Sequence, residues 1–232
     1  MPSALTLRSA VAALRKCYGE PPRPISRDPF HLILWEQVAY LKPDVQRRAA
    51  FLTLRKEVGL EPMEILAAAR TTLARITRLG GGIAADTRAV RMHESAELVV
   101  GKWDGDLGRA LRLPEQQARR ALGEFPMIGE PGADKILAIA GKARTLPMDS
   151  NALRVVRRLG LAPALKDYRS TYRRAQQLLA PALPKTGAEI VSAGALLRLH
   201  GQELCRRSEP RCDRCPLKVH CPSAGRRMRD RW

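Results

Sequence analysis

Four cysteines crowd the segment CRRSEPRCDRCPLKVHC, at Cys205, Cys212, Cys215 and Cys221, with the spacing C-x6-C-x2-C-x5-C. In a reducing compartment, thiols this close are metal ligands sooner than disulfide partners. A tetrahedral thiolate set suits zinc or an iron–sulfur cluster, and the cysteine count alone does not choose. Zinc ribbons and fingers carry two short C-x2-4-C knuckles, whereas only the middle gap here is that short. His220 stands beside Cys221, but four thiolates complete a set and leave it a spectator. Cys17 falls in a helical apolar pattern and is expected to be a small buried hydrophobe.

The elements that must position these thiols read as helices. PFHLILWEQVAYL, VQRRAAFLTLRKEV, EPMEILAAARTTLARITRL, DLGRALRL, PEQQARRALGEF, ADKILAIAGKA, NALRVVRRLG, YRSTYRRAQQLLAPAL and AEIVSAGALLRLHGQEL carry helical periodicity, with Gly and Pro between them. Strand alternation is nearly absent, so the expected class is all-α. The 232 residues can bury a core without disulfides, as one domain or two small lobes. Lys and Arg number 41 against 23 Asp and Glu, a formal charge of +18 spread along the chain. A surface so basic suits a polyanion, nucleic acid first. No apolar run is long enough to cross a bilayer. The N-terminal stretch has no acidic residue before Glu20, as in transit peptides, yet Leu7, Ala10, Val11 and Leu14 have the spacing of a first helix packed on a core. The expected setting is a reducing cytoplasm, on the nucleoid in a bacterium.

LHGQELCRRSEPRCDRCPLKVHC resembles the iron–sulfur loop of the endonuclease III family of DNA glycosylases. The resemblance implies a [4Fe–4S] cluster on Cys205, Cys212, Cys215 and Cys221, after a helix ending in His-Gly. Its implied role is structural: the clamped loop turns Arg206, Arg207, Arg211, Arg214 and Lys218 toward DNA phosphates.

A second region agrees. FPMIGEPGADKILAIAGKARTLPMDSNALRVVRRLG resembles the superfamily's helix–hairpin–helix, L-P-G-V/I-G-x-x-x-A, followed by its Gly/Pro-rich loop and aspartate. The hairpin residues Ile128, Gly129, Gly132 and Ala133 are the implied DNA contacts, since backbone amides and a helix N-terminus there must approach a phosphate. Met127 replaces the first glycine, which weakens any detailed hairpin geometry. MDSNALRV matches the family's V-D-T-H-x-x-R-V in unbroken register, so Asp149 takes the catalytic aspartate's position. A carboxylate there stabilises the oxocarbenium-like sugar and orients or deprotonates the attacking water. By itself Asp149 also reads as an ordinary helix N-cap, and the two roles are compatible. Bifunctional members carry a Schiff-base lysine two residues after the second hairpin glycine. That place is Pro131 here, while Lys135, a turn further on, is expected to face solvent or phosphate.

DPFHLILWEQVAYLKPDV resembles the family's first barrel helix. Where damage-specific relatives place a glutamine in the vacated base stack, this chain has Leu41 or Tyr40, a wedge without amide hydrogen bonding. Glu36 falls where adenine-mismatch glycosylases keep a glutamate that donates a proton to the departing purine. Its neighbours Leu34, Trp35 and Val38 would supply the burial such an acid needs. Glu36 reads equally as a salt-bridged surface residue, and Trp35 as core packing or as a stacking platform. Trp35, Tyr40, Leu41 and Pro131 make up the expected substrate pocket. The sequence ends soon after the cysteine loop, without the domain by which adenine-mismatch enzymes recognise oxidised guanine, so that specificity is not expected.

The resemblance implies two lobes: a six-helix barrel over 27–143 and a cluster lobe from 1–26 and 144–232. The expected function is a monomeric, monofunctional DNA glycosylase acting on double-stranded DNA with a lesion or mismatch. Its rivals are a glycosylase with weak lyase activity through Lys135 or Lys142, a non-catalytic iron–sulfur DNA-binding module, and a zinc-stabilised nucleic-acid-binding protein.

Overall fold

A computed structural model of the protein describes residues 5–224. Those residues form helices and connecting loops, with no β-strand among them. In chain order the α-helices are α1 (Leu7–Tyr18), α2 (Pro29–Val38), α3 (Asp44–Glu57), α4 (Pro62–Ala67), α5 (Arg70–Leu79) and α6 (Ala85–Trp103). Then come α7 (Glu115–Leu122), α8 (Glu130–Ile139), α9 (Ser150–Arg158), α10 (Tyr168–Leu179) and α11 (Gly187–Glu203). Two compact units result: a central one, Pro24–Lys142, and a terminal one whose described residues are 5–23 and 143–224. No helix among the described residues is long and apolar enough to cross a membrane.

Local chemistry explains where helices differ from the sequence pattern. The 62–79 segment splits into α4 and α5, with Ala68 and Ala69 extended at the break. No Gly or Pro marks that place, so periodicity alone reads straight through it. DLGRALRL forms only a 3-10 turn, Leu107–Arg112, started by the Asp106 side chain accepting the Gly108 amide at 2.8 Å. The helix through YRSTYRRAQQLL stops at Leu179, and Pro181 falls in a 3-10 turn.

In the central unit α2 is apolar nearly all round, burying Phe30, Leu32, Ile33, Leu34 and Val38, which marks it as the core helix. Its far end meets a buried cation. Arg88 of α6, 1% exposed, donates to the carbonyls of Val38 at 2.7 Å, Thr77 at 2.8 Å and Ile83 at 3.2 Å, and also to that of Gly81. One guanidinium thus satisfies the ends of both α2 and α5. Gly80 lies so near that a Cβ there would sit 2.1 Å from the Val38 carbonyl oxygen.

The terminal unit is built on α1, α9, α10 and α11. Its core includes Leu14, Leu153, Val156, Tyr172, Ala175, Leu196 and Leu197. Helix α1 starts in a Thr6–Ser9 capping box and buries Leu7, Ala10, Val11 and Leu14, as its spacing anticipates. Cys17 is exposed, contrary to expectation, because Tyr18 turns toward the core at the end of that stripe.

Candidate active site

Asp149 caps the first turn of α9. Its Oδ1 accepts the amides of Asn151 and Ala152, both at 2.9 Å, and its Oδ2 accepts Asn151 Nδ2 at 3.3 Å. Arg198 of α11 completes the set, with Nε 3.0 Å from Oδ2. The cap and the candidate catalytic carboxylate are therefore the same group. The Asp149 side chain is 31% exposed. Nearby, the Tyr168 hydroxyl is pushed above its ordinary pKa, chiefly by burial and then by the Asp149 charge.

Two glycines let α11 approach this loop. A Cβ on Gly194 would stand 2.4 Å from the Pro147 carbonyl oxygen, and one on Gly201 would stand 2.7 Å from that of Asn151. Arg198 falls between them in sequence, four residues after Gly194 and three before Gly201, hence on the same helical stripe. Motif reading missed Arg198. The Gly-x3-Arg-x2-Gly spacing in α11 was the available signal, but only the partner loop gives it meaning.

Helix α9 also ties this loop to the cysteine segment. Arg154, 6% exposed, donates to Asn151 Oδ1 at 2.8 Å, the Gly201 carbonyl at 2.7 Å and the Cys205 carbonyl at 2.9 Å. One turn on, Arg158 donates to the carbonyls of Arg206 at 2.6 Å and Arg207 at 3.2 Å. Cys205, Cys212, Cys215 and Cys221 all line one cavity of about 30 Å³, with Val155, Leu159 and Leu204 in its wall. Arg158 Nη1 lies 3.6 Å from Cys205 Sγ, and His200 Nε2 lies 3.5 Å from Cys215 Sγ. His200 is buried and pulled down to about 4 by that burial, so it is a neutral ring; its Nδ1 is 3.0 Å from the Tyr18 hydroxyl. Burial pushes the Cys205, Cys215 and Cys221 thiols up.

Among the described residues, no three His, Cys, Asp or Glu side chains form a group that could hold a single metal ion. The donor set itself, four thiols on one cavity with N–H groups directed at sulfur, has the chemistry an iron–sulfur cluster needs. His220, the expected spectator, is exposed. Arg207, Arg211, Arg214 and Lys218 are exposed on the loop, while Arg206 is half-buried and folds back to donate to the Glu203 carbonyl at 3.1 Å.

The hairpin keeps its turn despite Met127. That residue adopts φ 68°, the left-handed conformation glycine takes without penalty, and the Ile128 amide closes the turn onto the Phe125 carbonyl at 3.0 Å. Ile128 and Ala133 are buried, at 3% and 0% exposure, and the Ala133 amide is already spent on the Gly129 carbonyl. Packing and helix formation claim both. Among the described residues, the amides of Gly129 and Gly132 make no backbone hydrogen bond. Pro131 occupies the first turn of α8 and has no N–H to offer. Arg119 Nε binds the buried Asp134 carboxylate at 2.6 Å, clamping α7 to α8.

On α2, Glu36 carries the Lys135 ammonium on its Oε1, with the two side chains 21% and 19% exposed. Lys135 was expected to face solvent or phosphate; it faces this carboxylate instead. Trp35 packs edge-on against Phe51 at 5.5 Å, with the Arg47 guanidinium 5.6 Å from its ring. Tyr40 and Leu41 are 44% and 75% exposed, and Leu41 holds a left-handed φ of 52°. Buried Gln37, another residue the motifs did not indicate, donates to Ser95 Oγ at 2.8 Å and to the Pro126 carbonyl at 3.0 Å, fixing α2 to the hairpin.

The chain matches no protein-family model. It is 25% identical over 200 residues to an endonuclease III of Sulfolobus acidocaldarius, covering 84% of this chain and 82% of that protein. It is 31% identical over 148 residues to an adenine DNA glycosylase of Mycolicibacterium smegmatis, covering 64% of this chain but 46% of that one. Among solved structures, a trapped endonuclease III–DNA covalent intermediate superposes with a TM-score of 0.74 at 20% identity, covering 97% of this chain and 100% of that chain.

Proposed function

The chain belongs to the endonuclease III-like helix–hairpin–helix superfamily of DNA glycosylases, and on that premise we propose that it is a monofunctional glycosylase of base-excision repair. Its substrate is double-stranded DNA, bound by the monomer and carrying a damaged or mispaired base. The amides of Gly129 and Gly132 and the start of α8 take a phosphate, and Arg211, Arg214 and Lys218 take others. The target nucleotide leaves the stack, since its glycosidic bond is unreachable in the duplex. Tyr40 and Leu41, exposed at the end of α2, fill the space left behind.

As the bond from C1′ to the base lengthens, positive charge grows on the sugar, and the Asp149 carboxylate stabilises it. Water adds to C1′ and gives its proton to the Asp149 carboxylate, while the base departs with the bonding electron pair and takes a proton from solvent. The product is an abasic strand, still intact. Pro131 carries the monofunctional reading, because it puts a ring without an amine where relatives keep the nucleophilic lysine. Lys135, a turn further along α8, is engaged by Glu36.

In this reading Cys205, Cys212, Cys215 and Cys221 hold a [4Fe–4S] cluster. When bound, it supplies a rigid four-point clamp, not a reactant. Arg158 and Arg154 then transmit the loop's position to α9 and so to Asp149.

The test is a panel of duplexes, each with one lesion, incubated with the protein and then treated with hot alkali. Strand breaks that require alkali support hydrolysis and identify the base. Breaks formed without alkali, together with a borohydride-trapped covalent adduct, would transfer the function to Lys135 or Lys142. An intact strand in every arm leaves a DNA-binding module.

A further inference from the structure

An ionised carboxylate offers about four acceptor positions; on Asp149 three are taken by hydrogen-bond donors, and a guanidinium stands in ion-pair contact beside the fourth. Two are the backbone amides of α9's first turn, which cannot leave without unwinding the helix. The third, Asn151 Nδ2, belongs to a side chain that Arg154 holds through Oδ1, and Arg154 is itself anchored on the carbonyls of Gly201 and Cys205. The guanidinium is that of Arg198, on a long side chain 18% exposed.

This arrangement opposes the chemistry proposed for Asp149. A carboxylate with three positions hydrogen-bonded and a guanidinium standing against the last is poorly placed to take a proton from water. A guanidinium against it also cancels much of the field that would stabilise a cationic sugar. Of the four groups around Asp149, Arg198 is the one that belongs neither to the backbone of α9's first turn nor to the Arg154 network. It carries the charge and planar fork that bind phosphodiester oxygens as readily as carboxylate.

We propose that Arg198 is a DNA-phosphate ligand coupled to Asp149. It rests on Oδ2 in the free protein and transfers to a backbone phosphodiester when the target strand is seated, which uncovers the Oδ2 lone pair and the full negative charge. This positioning role rests on the reading of Asp149 as the group at the sugar. It links grip to chemistry: the carboxylate becomes reactive only with DNA in place.

The test needs no knowledge of the excised base. Two duplexes suffice, one with a neutral tetrahydrofuran abasic analogue and one with a cationic pyrrolidine analogue that mimics the charged sugar. Dissociation constants are measured across a salt series for the native protein and for R198Q, R198K and D149N. The native protein should prefer the cationic analogue. R198Q should weaken binding to both analogues alike, by about tenfold, and lower the salt slope by about one, with the preference ratio kept. R198K should retain both slope and ratio, and it carries the test if R198Q folds poorly. If R198Q or R198K changes the ratio while slope and neutral-analogue affinity stay native, Arg198 is a fixed clamp on Asp149 and the proposal is overturned. D149N separates the premise: its preference ratio should collapse, and an unchanged ratio there removes Asp149 from the sugar whatever Arg198 does.

Discussion

The hairpin at 125–133 and the loop at 147–151 each lead into a helix, and they are held by different means. The hairpin offers backbone: its useful groups are amides, and its side chains serve packing, as with buried Ile128 and Ala133. The loop offers a side chain, the Asp149 carboxylate, gripped by Arg198, Asn151 and two amides and approached closely by Gly194 and Gly201. A function carried by backbone tolerates a changed residue if the dihedral angles survive, as Met127 illustrates at φ 68°. A function carried by a carboxylate tolerates no such change. The hairpin departs from the family pattern at Met127, while the loop, though changed around it, keeps the aspartate.

The sharpest break is Asp149→Asn. Asparagine caps helices about as well as aspartate, so α9 should persist and thermal unfolding should scarcely move. Excision of the base identified by the lesion panel should fall about 10³-fold, the scale of losing a charge aimed at the transition state. A variant as fast as the native protein would leave Asp149 as a cap alone.

Next in size is Asp134→Ala, on the hairpin side. It strands Arg119 without its buried partner between α7 and α8, and breaking such a pair costs about 3 kcal/mol. The expected result is a lower midpoint of thermal unfolding and weaker DNA binding, with the single-turnover rate kept at saturating protein. A drop in that rate would mean the two regions are not separable in the way drawn above.

Gly194→Ala probes the loop's support. The new Cβ would stand 2.4 Å from the Pro147 carbonyl oxygen, so backbone must move. Overpacking costs about 1–3 kcal/mol, partly offset by alanine's helix preference of about 1 kcal/mol. Displacing the carboxylate by a fraction of an ångström should slow excision by about tenfold or more, with DNA affinity unchanged.

These contrasts also show what could be read from sequence. The all-helical class and the α1 stripe follow from spacing that is local along the chain. Cys205 to Cys221 are legible for the same reason. Arg198, Gln37 and the pairing of Glu36 with Lys135 are not, since each acquires its role from a residue on another element, 49 positions away for Arg198 and Asp149. The α4–α5 break was hidden because Ala68 and Ala69 carry no local signal. Cys17 was misread because a stripe at a helix end does not say which of two adjacent residues turns inward.

The smallest expected effect bears most directly on the comparison. If the hairpin works through its backbone, Met127→Gly should preserve function and improve the fold. Methionine in the left-handed region costs about 1 kcal/mol or more, a strain glycine does not carry. Glycine also gives the unfolded chain more freedom, which takes back part of the gain. The net should be a stabilisation of up to about 1 kcal/mol, seen as a slightly raised midpoint of thermal unfolding. DNA affinity and excision rate should match the native protein, because Met127 is 36% exposed and its φ is unchanged. A loss of affinity with the stability gain intact would show that the Met127 side chain itself touches DNA, and the hairpin would then share the loop's dependence on a particular side chain.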